Sequence, residues 1–173
     1  MRKMLGSKFF ERSSIVVAKD LIGKFLIREQ GGEVESFMIT ETEAYDGEKD
    51  LACHASKGRT KRTEILYAKP GIFYIYLIYG MYHMLNIVTD KKDYPSAVLI
   101  RGVKSISGPG RVTKKLKIDR MLHGKEAGKK SSLWLEDRGI MVNQKDILKT
   151  ARIGVDYAGP IWSKKLYRFL LKK

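Results

Sequence analysis

Several features that would define other classes of protein are missing from this sequence. It has one cysteine, Cys53, so an internal disulfide is impossible and we expect a reducing, cytoplasmic environment. The three histidines, His54, His83 and His123, do not combine with that cysteine at the spacing of a zinc site, so no metal is expected. Residues 1–5 are basic, but no apolar signal core follows them, and no apolar run approaches membrane-spanning length. We therefore expect a soluble, intracellular protein without a membrane partner.

Acidic residues are also scarce relative to basic ones. The 173 residues include 34 Lys and Arg but only 19 Asp and Glu, a formal net charge of +15. The excess runs along the whole chain and is densest at residues 57–62, 111–117 and 164–173. Positive charge spread over a folded domain favours a polyanion, because phosphate contacts release counterions. Nucleic acid is the expected partner, since no helix has the broad apolar face of a membrane-surface anchor.

The order of the predicted elements indicates an α+β fold, with one mixed domain over residues 1–173. We expect a mostly antiparallel sheet with helices at its periphery. A first helix is predicted at residues 15–22, capped by Ser13 or Ser14 and ended by Gly23. A second is predicted at residues 111–118, behind a glycine-rich loop. Strands are predicted at residues 24–29, 34–44, 97–103, 132–136, 140–142 and 166–170, with two more within residues 69–86.

The two strands within residues 69–86 form a predicted hairpin of unusual composition. Apolar residues alternate with tyrosines along its first strand: Phe73, Ile75 and Leu77 on one face, Tyr74 and Tyr76 on the other. The tip, residues 79–82 (Tyr-Gly-Met-Tyr), is apolar where hairpin turns are usually polar. It could be a wedge that inserts between stacked bases, or the end of a core hairpin covered by another segment. On this stretch alone the covered hairpin is better supported.

Two further features are candidates for chemistry and for phosphate binding. Glu41 and Glu43 lie two apart at the end of a strand, on the same face, where either could act as a general base. Residues 56–63 form a basic loop with interleaved hydroxyls, suited to phosphate. The glycines before the helix at residue 111 could also accept a phosphate, or could be an ordinary loop, and the two interpretations are equally supported. Taken singly, a strand-end glutamate is most often an ion-pair partner and a lone histidine is usually structural.

Together and in this order, the motifs resemble the alkyladenine (3-methyladenine) DNA glycosylase family. The likeness runs from about residue 20 to residue 170. The Glu-Thr-Glu-Ala-Tyr block and the Tyr-Gly-Met-Tyr hairpin are its most specific parts. The matching blocks are residues 20–24, residues 41–45, His54, residues 58–62, residues 69–71, residues 74–86, residues 98–101 and residues 108–111.

The resemblance implies a role for individual residues. The catalytic glutamate falls on Glu43, which would orient and deprotonate a water, and Arg101 falls near that water. The remaining assignments are a base pocket (Tyr45, His54, Tyr76, Asn86, Leu99), an intercalating tip (Tyr79, Met81) and DNA-backbone contacts (Arg59, Thr60, Arg62, Arg111). In the pocket, Asn86 would crowd unmodified guanine.

The resemblance also implies an activity. It is that of a monofunctional DNA glycosylase in base excision repair, without cofactor or lyase step. Such an enzyme flips a damaged purine out of double-stranded DNA and hydrolyses its N-glycosidic bond. The expected bases are 3-methyladenine, 7-methylguanine, hypoxanthine and ethenoadenine. A monomer, associated with the nucleoid in a prokaryote, is expected. The sequence departs from the family pattern at Thr63, where asparagine is expected, at His83, and after Asp119. The alternatives are a non-catalytic basic DNA- or RNA-binding module and a ribosome-associated basic protein.

Overall fold

One long strand, β3 (Glu33–Asp46), connects the two parts of the sheet. In the computed structural model, which describes residues 2–172, its first half pairs with β2 and its second half lies between β6 and β10. Every pairing between named strands is antiparallel, and the main path runs β1-β8-β2-β3-β6-β5-β4. The other strands are β1 (Lys3–Met4), β2 (Phe25–Gln30), β4 (Phe73–Ile78), β5 (Tyr82–Val88), β6 (Ser96–Val103), β7 (Ile106–Ser107), β8 (Leu133–Asp137), β9 (Ile147–Thr150) and β10 (Arg168–Leu171).

The α-helices are short and lie around this sheet. They are α1 (Ser7–Phe10), α2 (Ser14–Asp20), α3 (Pro109–Lys115) and α4 (Gly159–Trp162). Both α2 and α3 pack on the sheet, and the main core includes Val17 and Leu21 from the region of α2, Val112 from α3, and Phe73 and Phe169 from strands. The expected α+β fold with a mostly antiparallel sheet is confirmed. Within residues 2–172, no helix is long and apolar enough to cross a membrane.

The first predicted helix is present with both of its end signals, but it spans Ser14–Asp20 rather than residues 15–22. The Ser13 hydroxyl accepts a hydrogen bond from the Val16 amide at the N-terminus of α2. After its C-terminus, Gly23 adopts a φ of +86°, and a Cβ there would lie 2.5 Å from the Val142 side chain. Gly23 is thus required both by its left-handed backbone and by this close approach.

Two other predictions need correction. The second helix begins at Pro109, two residues before the predicted start, and ends at Lys115 rather than at residue 118. The strand predicted at residues 140–142 is wrong: these residues pair with no strand, and Val142 packs against Gly23 while Met141 is almost fully exposed. The apolar run is used for side-chain contact, not for backbone pairing. The strand predicted at residues 166–170 is present as β10, but it spans Arg168–Leu171; it pairs with β3 at Glu41–Glu43.

Candidate active site

A cavity of about 420 Å³ opens on one face of the sheet, beside β3, β4, β5 and β6. The pleat explains which residues face it, because successive side chains of a strand point to opposite sides. The cross-strand register aligns Glu43 with Leu99, Leu99 with Asn86, and Asn86 with Tyr74. One row across four strands therefore carries a carboxylate, an apolar residue, an amide and an aromatic ring. Such volume and lining suit a small flat ligand.

Glu43 lies immediately behind the cavity wall and has no exposed surface. Three hydrogen bonds hold its carboxylate: the Tyr45 hydroxyl donates to Oε2 at 2.8 Å, the Ile153 amide to Oε1 at 2.8 Å, and Arg101 Nη1 to Oε2 at 3.4 Å. Burial raises the pKa of Glu43 above the ordinary glutamate value, although these donors and the nearby charge of Arg152 act in the opposite direction. The result is a buried carboxylate of raised basicity.

Glu41, the other candidate base, has a different environment. Its Oε1 accepts hydrogen bonds from Arg101 Nε at 3.0 Å and from Arg168 Nε at 2.7 Å. Two guanidinium groups thus neutralise this carboxylate, and it does not line the cavity. Glu41 is an ion-pair partner that fixes Arg101, which does line the cavity, between the two carboxylates.

Aromatic rings form the opposite side of the cavity. His54 packs edge-on against Tyr76, with ring centroids 4.6 Å apart, and its Nδ1 lies 2.8 Å from the Tyr74 hydroxyl. Burial and the charges of Arg62 and Lys57 lower the pKa of His54 to about 4, so the imidazole is neutral at physiological pH. The expected pocket residues Tyr45, His54, Tyr76, Asn86 and Leu99 all line this one cavity.

The Asn86 amide is held from behind by the backbone. Its Nδ2 donates to the carbonyls of Tyr74 at 3.2 Å and Met84 at 3.3 Å, and the side chain is 2% exposed. With the amide nitrogen used in this way, the side chain has a fixed position in the cavity wall.

Comparison with known proteins identifies the family. A family model described as Methylpurine-DNA glycosylase matches two segments, residues 8–108 and 104–173. The chain is 41% identical to a protein of Legionella pneumophila (strain Paris) over 99% of this chain and 96% of that one. It is 42% identical to a protein of Methanocella arvoryzae, covering 90% and 86% of the two chains, and 44% identical to one of Psychrobacter cryohalolentis, covering 87% and 84%. All three relatives carry the name "Putative 3-methyladenine DNA glycosylase".

The chain belongs to the methylpurine-DNA glycosylase family. It is a DNA glycosylase, a hydrolase that acts on the bond between a base and its deoxyribose, and its substrate is DNA. The resemblance found in the motifs is confirmed, and the alternatives of a non-catalytic binding module or a ribosomal protein are set aside.

The hairpin tip of this glycosylase is exposed, not covered. The side chains of Tyr79 and Met81 are 85% and 66% exposed, and Tyr79 also reaches the rim of the cavity. Tyr79 and Gly80 have φ of +51° and +67°, as the two central residues of a tight hairpin turn. On the first strand, Phe73 and Ile75 are core residues, whereas Leu77, near the tip, is 40% exposed. The covered-hairpin interpretation, which the hairpin's own residues favoured, is therefore wrong, and the exposure of the tip agrees with the position that the resemblance implied.

The four residues expected at the DNA backbone have different environments in the glycosylase. Arg59 is bonded at 2.8 Å to both Glu64 oxygens and at 3.2 Å to Asp93, so its charge is already paired. Thr60 bonds within its own loop to Thr63, whose buried hydroxyl also donates to the Gly58 carbonyl. The threonine that replaces the expected asparagine therefore closes the loop internally. Arg62 and Arg111 are exposed, and Arg62 lies 5.8 Å from the Tyr76 ring at the cavity.

Part of the site comes from a segment that sequence reasoning did not identify. Ile153, Gly154, Val155 and Tyr157 line the cavity, and the Ile153 amide contacts Glu43. These residues lie in the region after Asp119 where the motif match is poor. A backbone amide gives no sequence signal. The sequence signal for this region is the predicted strand at residues 166–170, since β10 pairs with β3 beside Glu43.

Proposed function

We propose that this glycosylase flips damaged purines out of duplex DNA and excises them by water attack directed by Glu43, as a monofunctional enzyme of base excision repair. The substrates would be alkylated and deaminated purines: 3-methyladenine, 7-methylguanine, hypoxanthine and ethenoadenine. The observation that carries this proposal is a fully buried carboxylate directly behind an aromatic cavity on a strongly basic protein. The name that the relatives carry supports the first of these substrates.

The cavity would bind the flipped base by stacking. Tyr45, His54 and Tyr76 offer ring faces, and stacking on an aromatic side chain contributes roughly 1–3 kcal/mol per base. An alkylated purine that carries positive charge gains further from electron-rich tyrosine faces. Asn86, whose position is fixed by two carbonyls, would crowd the exocyclic amino group of unmodified guanine.

Glu43 would act on the water that replaces the base. An ionised carboxylate has about four acceptor sites, and the three hydrogen bonds to Tyr45, Arg101 and Ile153 leave one for a water proton. As the bond between C1′ and the purine nitrogen breaks, its electron pair goes to the purine and positive charge develops on the sugar. The carboxylate would stabilise that charge and accept the proton of the water that attacks C1′.

The charge of the leaving base determines whether the reaction also needs a general acid. A cationic 3-methyladenine or 7-methylguanine takes the electron pair and leaves neutral, so no acid is required. Neutral hypoxanthine or ethenoadenine would need a proton, and the nearby His54 is itself neutral because of its low pKa. We therefore expect cationic purines to leave faster than neutral ones from this site.

The exposed tip and two exposed arginines would hold the duplex. Tyr79 and Met81 would fill the space left in the base stack, as apolar wedges do in other DNA-binding proteins. Arg62 and Arg111 would contact phosphates beside the cavity. Flipping costs a few kcal/mol, least for a damaged or mismatched base, so the wedge matters most where pairing is strong.

The role of Glu43 is tested by Glu43→Gln, with Glu41→Gln as the matched control on the same strand. A duplex with one hypoxanthine is incubated with each variant, heated in alkali and examined for strand scission. We expect Glu43→Gln to lose at least about 10²-fold in single-turnover rate while binding the duplex within a few-fold of wild type, because shape is kept and the base is lost. Glu41→Gln should lose much less. Near wild-type scission by Glu43→Gln would refute the assignment and leave Glu41 as the candidate base.

A further inference from the structure

A buried ion pair that the proposed chemistry does not use lies behind the cavity. The Asp50 and Arg152 side chains are both 0% exposed, and the guanidinium binds both carboxylate oxygens, Nη1 to Oδ2 at 2.5 Å and Nη2 to Oδ1 at 2.8 Å. The same two nitrogens donate to the carbonyls of Ala44 and Trp162, at 2.9 and 3.2 Å. Four contacts to three separate parts of the chain fix the planar group rigidly.

This pair contacts two of the groups that hold Glu43. Ile153, whose amide donates to Glu43 Oε1, is the residue directly after Arg152. The Arg152 guanidinium also lies 4.9 Å from the centre of the Tyr45 ring, and the Tyr45 hydroxyl donates to Glu43 Oε2. Of the three hydrogen bonds to the carboxylate, only that from Arg101 is independent of Arg152.

Stability alone is a weak reason for such a pair. Removing two charges from water is costly, and replacing a buried ion pair by apolar residues of similar volume is often neutral or stabilising. Arg152 Nε is also buried, and no atom of residues 2–172 accepts a hydrogen bond from it, a further cost. The geometry around Glu43 offers a reason that an apolar pair could not supply.

We propose that Asp50 and Arg152 are positioning residues for Glu43: the ion pair fixes the Ile153 amide and the Tyr45 ring, and these hold the carboxylate in one orientation. The inference rests on the proposed role of Glu43. Arg152 does not line the cavity, so its effect on the reaction would pass through its neighbours.

The effect should be visible in the pH dependence of the reaction. The charged and titratable groups around Glu43 include Tyr45 and Glu41 on its own strand, Arg101 on β6, Arg168 opposite it on β10, Arg152 on the C-terminal loop, and, further away, Tyr76 and Tyr157; Arg168 is itself paired with Glu41. Arg152 and the Ile153 amide favour the ionised carboxylate and so oppose the effect of burial. Their loss would raise the pKa of Glu43 further, and the acid limb of the rate profile would move to higher pH.

The test is the double variant Asp50→Leu/Arg152→Met, which removes the pair and leaves no unpaired buried charge. The single-turnover rate on a hypoxanthine duplex should fall about 10- to 100-fold, since small misplacements of a catalytic group have effects of that size. The enzyme concentration that gives half of the maximal single-turnover rate should change little, and the acid limb of the pH–rate profile should move to higher pH. The matched control is Arg138→Met, because Arg138 also pairs with a carboxylate (Glu136) and stacks on a ring (Phe25) but lies outside the cavity. It should leave the rate and the pH profile unchanged.

A folded double variant with wild-type rate and profile would overturn the proposal. If the double variant does not fold, Arg152→Lys is tested instead, because it keeps the positive charge but not the bidentate geometry. A move of the acid limb to higher pH supports the inference, and an unchanged pH–rate profile overturns it. Failure here is distinguishable from failure of the proposed function. If Glu43→Gln is inactive but the Asp50 and Arg152 variants behave like wild type, only this inference fails. If Glu43→Gln is active, the proposed role of Glu43 itself fails.

Discussion

Tyr79 occupies a position where the folded protein gains little from a tyrosine. Its φ of +51°, followed by +67° at Gly80, defines a turn in which Asn-Gly is the favoured pair. A large side chain with left-handed backbone costs about 1–2 kcal/mol, and with 85% of Tyr79 exposed the core does not offset it. Strain of this kind concentrates at functional sites. We therefore predict opposite effects of Tyr79→Asn on stability and on activity.

The structure gives the size of both effects. Complete burial of an aromatic side chain contributes roughly 3 kcal/mol to the free energy of unfolding. Because less than a fifth of Tyr79 is buried, removing its side chain should cost about 0.5 kcal/mol or less. Relief of the turn should offset this, and the melting temperature should stay within a few degrees of wild type or rise. On stably paired hypoxanthine, loss of one stacking contact of roughly 1–3 kcal/mol should reduce excision about 5- to 150-fold.

The assay compares one lesion in two contexts. Hypoxanthine opposite a stable partner is compared with hypoxanthine in a mismatch or a single strand, where extrusion costs less and the loss should be smaller. Met141→Asn is the control, because Met141 is 96% exposed and lies outside the cavity, and it should change nothing. A Tyr79→Asn protein that melts many degrees lower, or that loses equally on both substrates, would show that Tyr79 is not a wedge.

Two further predictions concern pH and salt. Because the pKa of His54 is about 4 in the folded protein and about 6.5 when unfolded, the unfolded chain binds the extra proton first, and stability falls as pH drops from 6.5 towards 4, by about 3 kcal/mol in total. The difference in melting temperature between His54→Gln and wild type should therefore be more favourable to the variant at pH 4.5 than at pH 7.5. The same difference at both pH values would contradict this. In DNA binding, Arg62→Gln and Arg111→Gln should each reduce the slope of log K against log salt by about 1. Arg59→Gln should reduce it little, because Arg59 is already paired with Glu64 and Asp93; an equal reduction would mean that this pairing opens on DNA.

Features with local causes could be predicted from the sequence. The Ser13 cap and Gly23 define α2, and alternation along β4 separates the core residues Phe73 and Ile75 from the cavity residues Tyr74 and Tyr76. The motifs also brought the expected pocket residues to one cavity. Features set by distant contacts could not be predicted. The composition of the hairpin alone did not predict the exposure of Tyr79, which only the family resemblance implied, and the run at 140–142 has the composition of a strand but finds no strand to pair with.

The same limit applies to the supports of Glu43. Nothing near Arg152 in the sequence distinguishes it from the other basic residues of the C-terminal region. Its partner Asp50 lies in a polar loop, and the contact between them spans 102 positions. Arg59, which looked free for phosphate, is paired locally with Glu64, five positions away, and non-locally with Asp93.

The two carboxylates of β3 show how environment separates residues that the sequence leaves equivalent. A register shift beside Glu41 and the absence of a side chain at Gly102, where a Cβ would lie 3.1 Å from Glu41 Cβ, make room for Glu41 beside two guanidinium groups. Arg101 is 3.0 Å from Glu41 but 3.4 Å from Glu43, so the pairing with Glu41 keeps it from closing fully on Glu43. Glu43 has two neutral donors, Tyr45 and Ile153, and a longer bond from Arg101, while the guanidinium of the nearby Arg152 is paired with Asp50; it therefore retains negative charge that can face a developing sugar cation. Glu41 thereby supports the charge on Glu43 without taking part in the reaction.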